Sequence, residues 1–166
     1  MRLLLNSLLL SSFLVVVILA QEKHESQIEM KGFYLGMTQE EVKEIYGQLQ
    51  TDRTAEFISI EREKYRDMIK LDNEFSSMGN KIEIEYDDEG LAKKITFQYK
   101  TTDILFGASQ LDAAELVKKI EQDYQLPEME FENMGMVKSW SCIDEKTNTK
   151  ISVDDNKNIR LQRVNK

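Results

Sequence analysis

GFYLGMTQEEVKEIYG, residues Gly32 to Gly47, is the stretch from which a fold can be read. Thr38 stands three residues ahead of Glu41, just before an apolar stripe. A threonine hydroxyl in that place accepts from the backbone N–H of residue 41. The glutamate reaches back to the N–H of Thr38, so two otherwise unpaired donors are satisfied together. Met37 and Val42 occupy the staple positions on either side of the cap. Val42, Ile45 and Tyr46 recur at helical spacing. Gly36 lets the chain turn sharply into the helix, and Gly47 is placed to stop it, because glycine enters the left-handed conformation freely. The stretch predicts a capped helix between Thr38 and Gly47 and assigns these residues to architecture, not chemistry.

The same grammar returns 74 residues further on, in SQLDAAELVKKIEQDYQLP. Leu111 corresponds to Met37, Asp112 to Thr38, Glu115 to Glu41, Leu116 to Val42 and Ile120 to Tyr46. Ala113, Leu116, Val117, Ile120 and Tyr124 form the apolar stripe, and Pro127 lies where a helix cannot continue. The approaches also agree, Phe33-Tyr34-Leu35-Gly36 before one helix and Ile104-Leu105-Phe106-Gly107 before the other.

Each helix is followed by strand-like alternation. Ile82, Ile84 and Tyr86 alternate with Glu83 and Glu85; Asp87-Asp88-Glu89-Gly90 turns the chain; Ile95, Phe97 and Tyr99 alternate with Lys94, Thr96 and Gln98. That is a hairpin with one apolar face. In the second half Trp140 and Cys142 mark a strand near Ser139 to Ile143. Ile151 and Val153 then precede a turn, and Ile159 and Leu161 follow it. Between residues 54 and 75 the reading is a short helix or irregular turn near Ala55 to Lys64, then a strand to about Leu71.

The resulting expectation is an α+β fold: one domain, residues 31–166, made of two tandem helix–antiparallel meander repeats (31–100 and 104–164), with the helices packed on one face of an antiparallel sheet. The other face stays polar and free. It would display Glu83, Glu85, Lys94, Thr96, Gln98, Lys150, Ser152, Arg160 and Gln162, which are the candidate binding residues for a protein partner.

The first twenty residues, MRLLLNSLLLSSFLVVVILA, carry one cation ahead of an apolar run that ends in Ala20. This is the layout of a signal peptide cleaved after residue 20; the run is short for a membrane span, which needs about 20 apolar residues. The expectation is export to a periplasm or exterior, with an uncleaved N-terminal membrane anchor as the alternative. Residues 21–30 read as a flexible mature N-terminus. The chain has 30 acidic and 22 basic residues, a net charge of −8, and the leader contains only Arg2 among them. Such a surface repels phosphate backbones and argues against nucleic-acid binding.

Catalytic chemistry is poorly represented. His24 is the sole histidine and stands near the predicted cleavage site, which disfavours a His-based triad or a His-rich zinc site. Cys142 alternates with Trp140, so a buried inert thiol is the expectation; no internal disulfide is possible with one cysteine. Asp154-x-Asn156-x-Asn158 begins like a calcium loop, but Ile159 stands where glycine is needed and Asn165 where glutamate closes the loop. It reads as a polar turn. Met129, Met134 and Met136 are candidates for an adaptable contact surface or for gap filling. No enzyme, metal site or cofactor is expected.

At LGMTQEEVKEIYG, Leu35 to Gly47, the sequence resembles the BamE (SmpA/OmlA) family of small bacterial envelope proteins and the wider group sharing the β-lactamase-inhibitor-protein fold. Their shared feature is a Gly-Met-Thr turn leading into such a helix, here Gly36-Met37-Thr38 followed by Glu41, Val42 and Gly47. The resemblance implies helices against one face of an antiparallel sheet and a non-enzymatic, scaffolding or protein-binding role in the envelope. A doubled unit resembles the inhibitor protein, which binds an enzyme across its sheet. The acidic charge would suit a secreted inhibitor of a basic enzyme such as a cell-wall hydrolase. The chain departs from both, lacking the N-terminal lipid-bearing cysteine of BamE proteins and the disulfides of the inhibitor. The matching residues are fold-forming, so no partner-binding position carries over.

Overall fold

The computed structural model describes residues 27–72 and 79–164. Residues 1–20, read from sequence as a leader, residues 21–26 with His24, and Phe75 lie outside them.

Helix α1 (Gln39–Thr51) starts at the box read from sequence. The Glu41 N–H donates to Thr38 Oγ1 at 3.4 Å and the Thr38 N–H to Glu41 Oε2 at 2.6 Å. The Tyr34 hydroxyl donates to the other Glu41 oxygen at 2.6 Å. Burial raises the Tyr34 pKa, and the Glu41 carboxylate adds to the shift. The helix does not stop at Gly47; it runs four residues further and buries Leu49 beside Val42. Burying one leucine is worth about 1.5–3 kcal/mol, which outweighs the roughly 1 kcal/mol penalty of an interior glycine.

Beyond it the chain forms β1 (Phe57–Glu63), β2 (Arg66–Asp72), β3 (Lys81–Tyr86) and β4 (Ala92–Phe97). Helices α2 (Tyr99–Phe106) and α3 (Ala113–Tyr124) follow, then β5 (Glu130–Met134), β6 (Val137–Asp144), β7 (Thr149–Asp154) and β8 (Ile159–Arg163). The short helix or turn expected over residues 55–64 is instead strand β1. Its Ile58 and Ile60 lie opposite Leu71 and Ile69 and pack partly against the core. The α3 box closes as read, with the Glu115 N–H on Asp112 Oδ1 at 2.8 Å and the Asp112 N–H on Glu115 Oε2 at 3.0 Å.

The expected pair of tandem helix–meander repeats is not what forms. All the strands join one eight-stranded antiparallel sheet in the order β1-β2-β3-β4-β8-β7-β6-β5, with three helices among the described residues. The boundary drawn between the repeats falls inside α2. Tyr99 begins that helix and does not end a strand; Ile104, Leu105 and Phe106 are helical, so they are no counterpart of Phe33–Leu35, which is a bridge residue running into a turn. Strand pairing supplies the physical reason. A β1–β4 unit ending at β4 would leave a row of backbone groups open, and β8 closes it in register, Lys94 facing Gln162 and Phe97 facing Ile159.

One face of the sheet carries the core. Ile69, Ile82, Ile84, Ile95, Phe97, Ile151, Val153, Ile159 and Leu161 are fully buried there with Val42, Leu116 and Ile120 from the helices. An aromatic chain crosses it, Phe33 to Phe97 at 5.7 Å and Phe97 to Phe106 at 5.3 Å between ring centres, both edge to face. Met30, the last residue of the segment read as a flexible arm, is fully buried and bridges to Phe33. A charge also sits on this face. Asp67 is fully buried, held by Arg62 at 3.2 Å, by the Tyr86 hydroxyl at 2.9 Å and by Gln39 Nε2 at 3.4 Å. Arg62 extends to the Gln39 carbonyl at 2.7 Å, so the network ties the start of α1 to β1, β2 and β3. No described helix is long and apolar enough to cross a membrane.

Helix α2 has no cap of its own in the local sequence. Its first N–H groups are satisfied from afar: Tyr99 N–H donates to Asn158 Oδ1 at 2.9 Å and Lys100 N–H to the Gly79 carbonyl at 2.8 Å. Gly79 sits at φ +81°, and a Cβ there would lie 1.9 Å from Tyr99 Cε1. Gly79→Ala should therefore lower unfolding stability by more than about 2 kcal/mol, combining backbone strain with overpacking. Gly90→Ala, at φ +77° with nothing within 4 Å of its Cβ, should lower it by about 1 kcal/mol. Urea unfolding of the two variants checks the difference; equal losses would show that the Tyr99 contact is not made.

Candidate functional site

The pleat sends alternate residues to the face opposite the core, and the strand register gathers the candidate residues there. One cross-strand row reads Glu83, Thr96, Arg160, Ser152, and the adjacent row reads Glu85, Lys94, Gln162, Lys150. Glu83, Glu85, Lys94, Thr96, Lys150 and Ser152 are half-exposed, and Arg160 and Gln162 are exposed. Gln98 lies one residue past the end of β4 and directly before α2, and its N–H still donates to the Lys81 carbonyl of β3 at 3.0 Å. Sequence period had placed it on the strand.

The two halves of this face differ electrostatically. On β1 to β4 the charges neutralise one another across or along the strands. Lys94 pairs with Glu85 at 2.6 Å, Lys81 with Glu83 at 2.9 Å, Arg66 with Glu63 at 3.1 Å, and Lys70 with Glu61. On β8 and β7, Arg160 and Lys150 make no ion pair with any described residue. The side chains of Thr96, Gln98, Ser152 and Gln162 make no hydrogen bond with described residues either.

A concavity of about 560 Å³ opens over the centre of this face. Glu83, Lys94, Thr96, Gln98 and Arg160 line it, and Gly79, Tyr99, Asn156 and Asn158 form its rim. The rim was not legible as part of a site. Asn158 reads locally as a turn residue, and the turn is real: Asp154 Oδ1 accepts from the N–H groups of Asn156 and Asn158 at 3.0 and 2.9 Å. Its link to Tyr99 is a long-range one. A second hollow of about 330 Å³ lies toward the β5 edge, between Glu128, Glu130, Glu132, Ser141 and Lys150.

Among the described residues no group of three or more His, Cys, Asp or Glu side chains is arranged to hold a metal ion. Of the three methionines singled out, Met129 is buried just ahead of β5 and Met136 is fully exposed at the β5–β6 turn, while the Met134 side chain lies outside what the structure describes. Phe131, read only as part of that segment, is exposed and lies against Trp140 with ring centres 5.1 Å apart and the ring planes tilted by 48°.

Cys142 is buried on the core side of β6, opposite Ile151. Burial pushes its thiol up to about 11, and the Glu121 and Asp144 carboxylates push the same way. Only the thiolate attacks disulfides, so near pH 8 roughly one molecule in a thousand carries the reactive form. The folded protein should leave an aromatic disulfide reagent almost unreacted at about pH 8, and unfolding in urea should release one thiol at once. Rapid stoichiometric reaction of the folded protein would contradict the burial of this side chain.

No protein-family model matches the chain, and no curated protein matches it.

Proposed function

We propose that the protein is an exported, non-catalytic protein-binding or scaffolding module of the cell envelope that works through the open face of its sheet. The observation that carries this reading is the pair of adjacent rows on β3, β4, β8 and β7, a continuous polar surface on which several donors have no partner within the described residues. A half-covered antiparallel sheet leaves such a surface free, and preformed donors on rigid strands suit recognition better than donors on loops. The leader-like N-terminus supports export. The BamE resemblance of Leu35 to Gly47 supports the envelope and the non-enzymatic class.

A second reading, a secreted inhibitor of a basic enzyme, draws on Glu128, Glu130 and Glu132 beside the β5 hollow. The centre of the face favours the first reading, because its unpaired charges there are the cations Arg160 and Lys150. Basic-enzyme inhibition would be steered by charge and would weaken steeply with salt.

A photo-cross-linking side chain placed at residue 96, in the middle of the open face, tests the proposal in the native cell. It should yield a discrete protein adduct, whereas the same group at residue 118, on the exposed side of α3, should yield none. Equal labelling from both positions, or none from residue 96, would overturn it.

A further inference from the structure

We infer that the centre of the open face receives an acidic side chain of the partner, with its carboxylate seated on Arg160 between the hydroxyls of Thr96 and Ser152. The inference rests on the open-face reading above and adds the chemistry of the occupant.

Charge complementarity carries it. The chain has an acidic excess, 30 against 22, and the cations on β2, β3 and β4 that point to this face each hold a carboxylate: Arg66 with Glu63, Lys70 with Glu61, Lys81 with Glu83, Lys94 with Glu85. Arg160 lies in the same row as Glu83 yet has no such partner among the described residues. Its neighbours in register are Thr96 on β4 and Ser152 on β7, both short hydroxyl side chains. Strands lie about 4.8 Å apart, so Glu83, the next carboxylate along the row on that side, is about 10 Å away and already holds Lys81. On the other side Ser152 is followed by Ser141 and then Glu130, about 14 Å off. Asp154, further along β7, spends its oxygens on the turn, accepting from the Asn156 and Asn158 N–H groups and from Asn158 Nδ2 at 2.8 Å.

Arg160 is thus an exposed guanidinium fixed to a central strand and surrounded by donors. A guanidinium presents paired N–H groups that match the two oxygens of a carboxylate, and Thr96 and Ser152 can each add an O–H donor. Lys150, which also makes no ion pair with the described residues, stands one row away on β7 and favours the same sign of charge. Arg160 and Thr96 line the concavity of about 560 Å³, so a side chain projecting from a partner can reach them there. Nucleic-acid phosphates would meet the same guanidinium, but the acidic excess of the whole chain opposes a polyanion, whereas one carboxylate on a protein loop does not carry that repulsion.

Selection of random displayed dodecapeptides on the immobilised full chain tests the inference. The enriched family should contain an invariant Asp or Glu. A synthetic member should bind Arg160→Gln about tenfold more weakly and Arg160→Glu more weakly still, and exchange of its acidic residue for Lys should restore binding to Arg160→Glu. Arg160 is exposed, so these variants should keep the wild-type circular dichroism. Thr96→Trp, which fills the concavity, should abolish binding. Peptides blocked by Thr96→Trp but indifferent to Arg160→Glu would overturn the carboxylate inference and leave the open-face reading standing. Peptides indifferent to both changes, or no enriched family, would overturn both. A single-stranded oligonucleotide that bound at Arg160 more tightly than the acidic peptide would also overturn it.

Discussion

The backbone ladder between β4 and β8 is the constraint on which the rest of this structure depends. Four residue pairs, Lys94 with Gln162 through Phe97 with Ile159, join β1–β4 to β5–β8. Backbone groups at a sheet edge must find water or another strand, and here two edges distant in sequence satisfy each other. The same four pairs set Ile95 against Leu161 and Phe97 against Ile159 on the core side, so the ladder and the hydrophobic interior require the same register. A slip by one residue would turn every side chain of β8 to the wrong face. Thr96 and Arg160 are neighbours only because of this seam, which makes the centre of the polar face a product of tertiary pairing.

How much of this could be read from the chain follows from how local each signal is. The boxes at Thr38 and Asp112 are complete within four residues, and both helices begin there. The alternations around Ile82, Ile95, Ile151 and Ile159 are likewise local, and those strands form with the expected residues inside. Helix α2 was missed because its stabilisers are remote. The N–H of Tyr99 is met by Asn158, and that of Lys100 by Gly79. Nothing within Tyr99–Phe106 announces a helix start, and Thr101 and Thr102 favour strands by propensity. Strand β1 was obscured by Phe57-Ile58-Ser59-Ile60, whose short apolar run fits either period. Strand β5, with three acidic residues between 128 and 132, resembles a solvated loop until its register with β6 is known.

The polar face was legible as a set of residues, since period two assigns side chains to faces regardless of strand order. Its organisation was not. The division between a self-neutralised half and a half with unpaired cations depends on which strands are adjacent, and adjacency here is non-local. The buried charge shows the same limit. Asp67 shares its period with Ile69 and Leu71, which placed an acid on the apolar side of β2; a carboxylate there needs a counter-charge, because burying it alone is prohibitive. Arg62, five residues away across the β1–β2 turn, supplies that charge, with Tyr86 adding a hydrogen bond.

Backbone proton contacts across the β4–β8 seam test this account most directly. In an isotope-labelled sample, nuclear Overhauser cross-peaks should link residue 94 with 162 and residue 96 with 160, and the amides of Ile95 and Leu161 should be among the slowest to exchange with deuterium. Absence of those cross-peaks, with rapid exchange at Ile95 and Leu161 while the β3–β4 and β7–β8 hairpins remain protected, would mean two separate sheets and would dissolve the site at their junction.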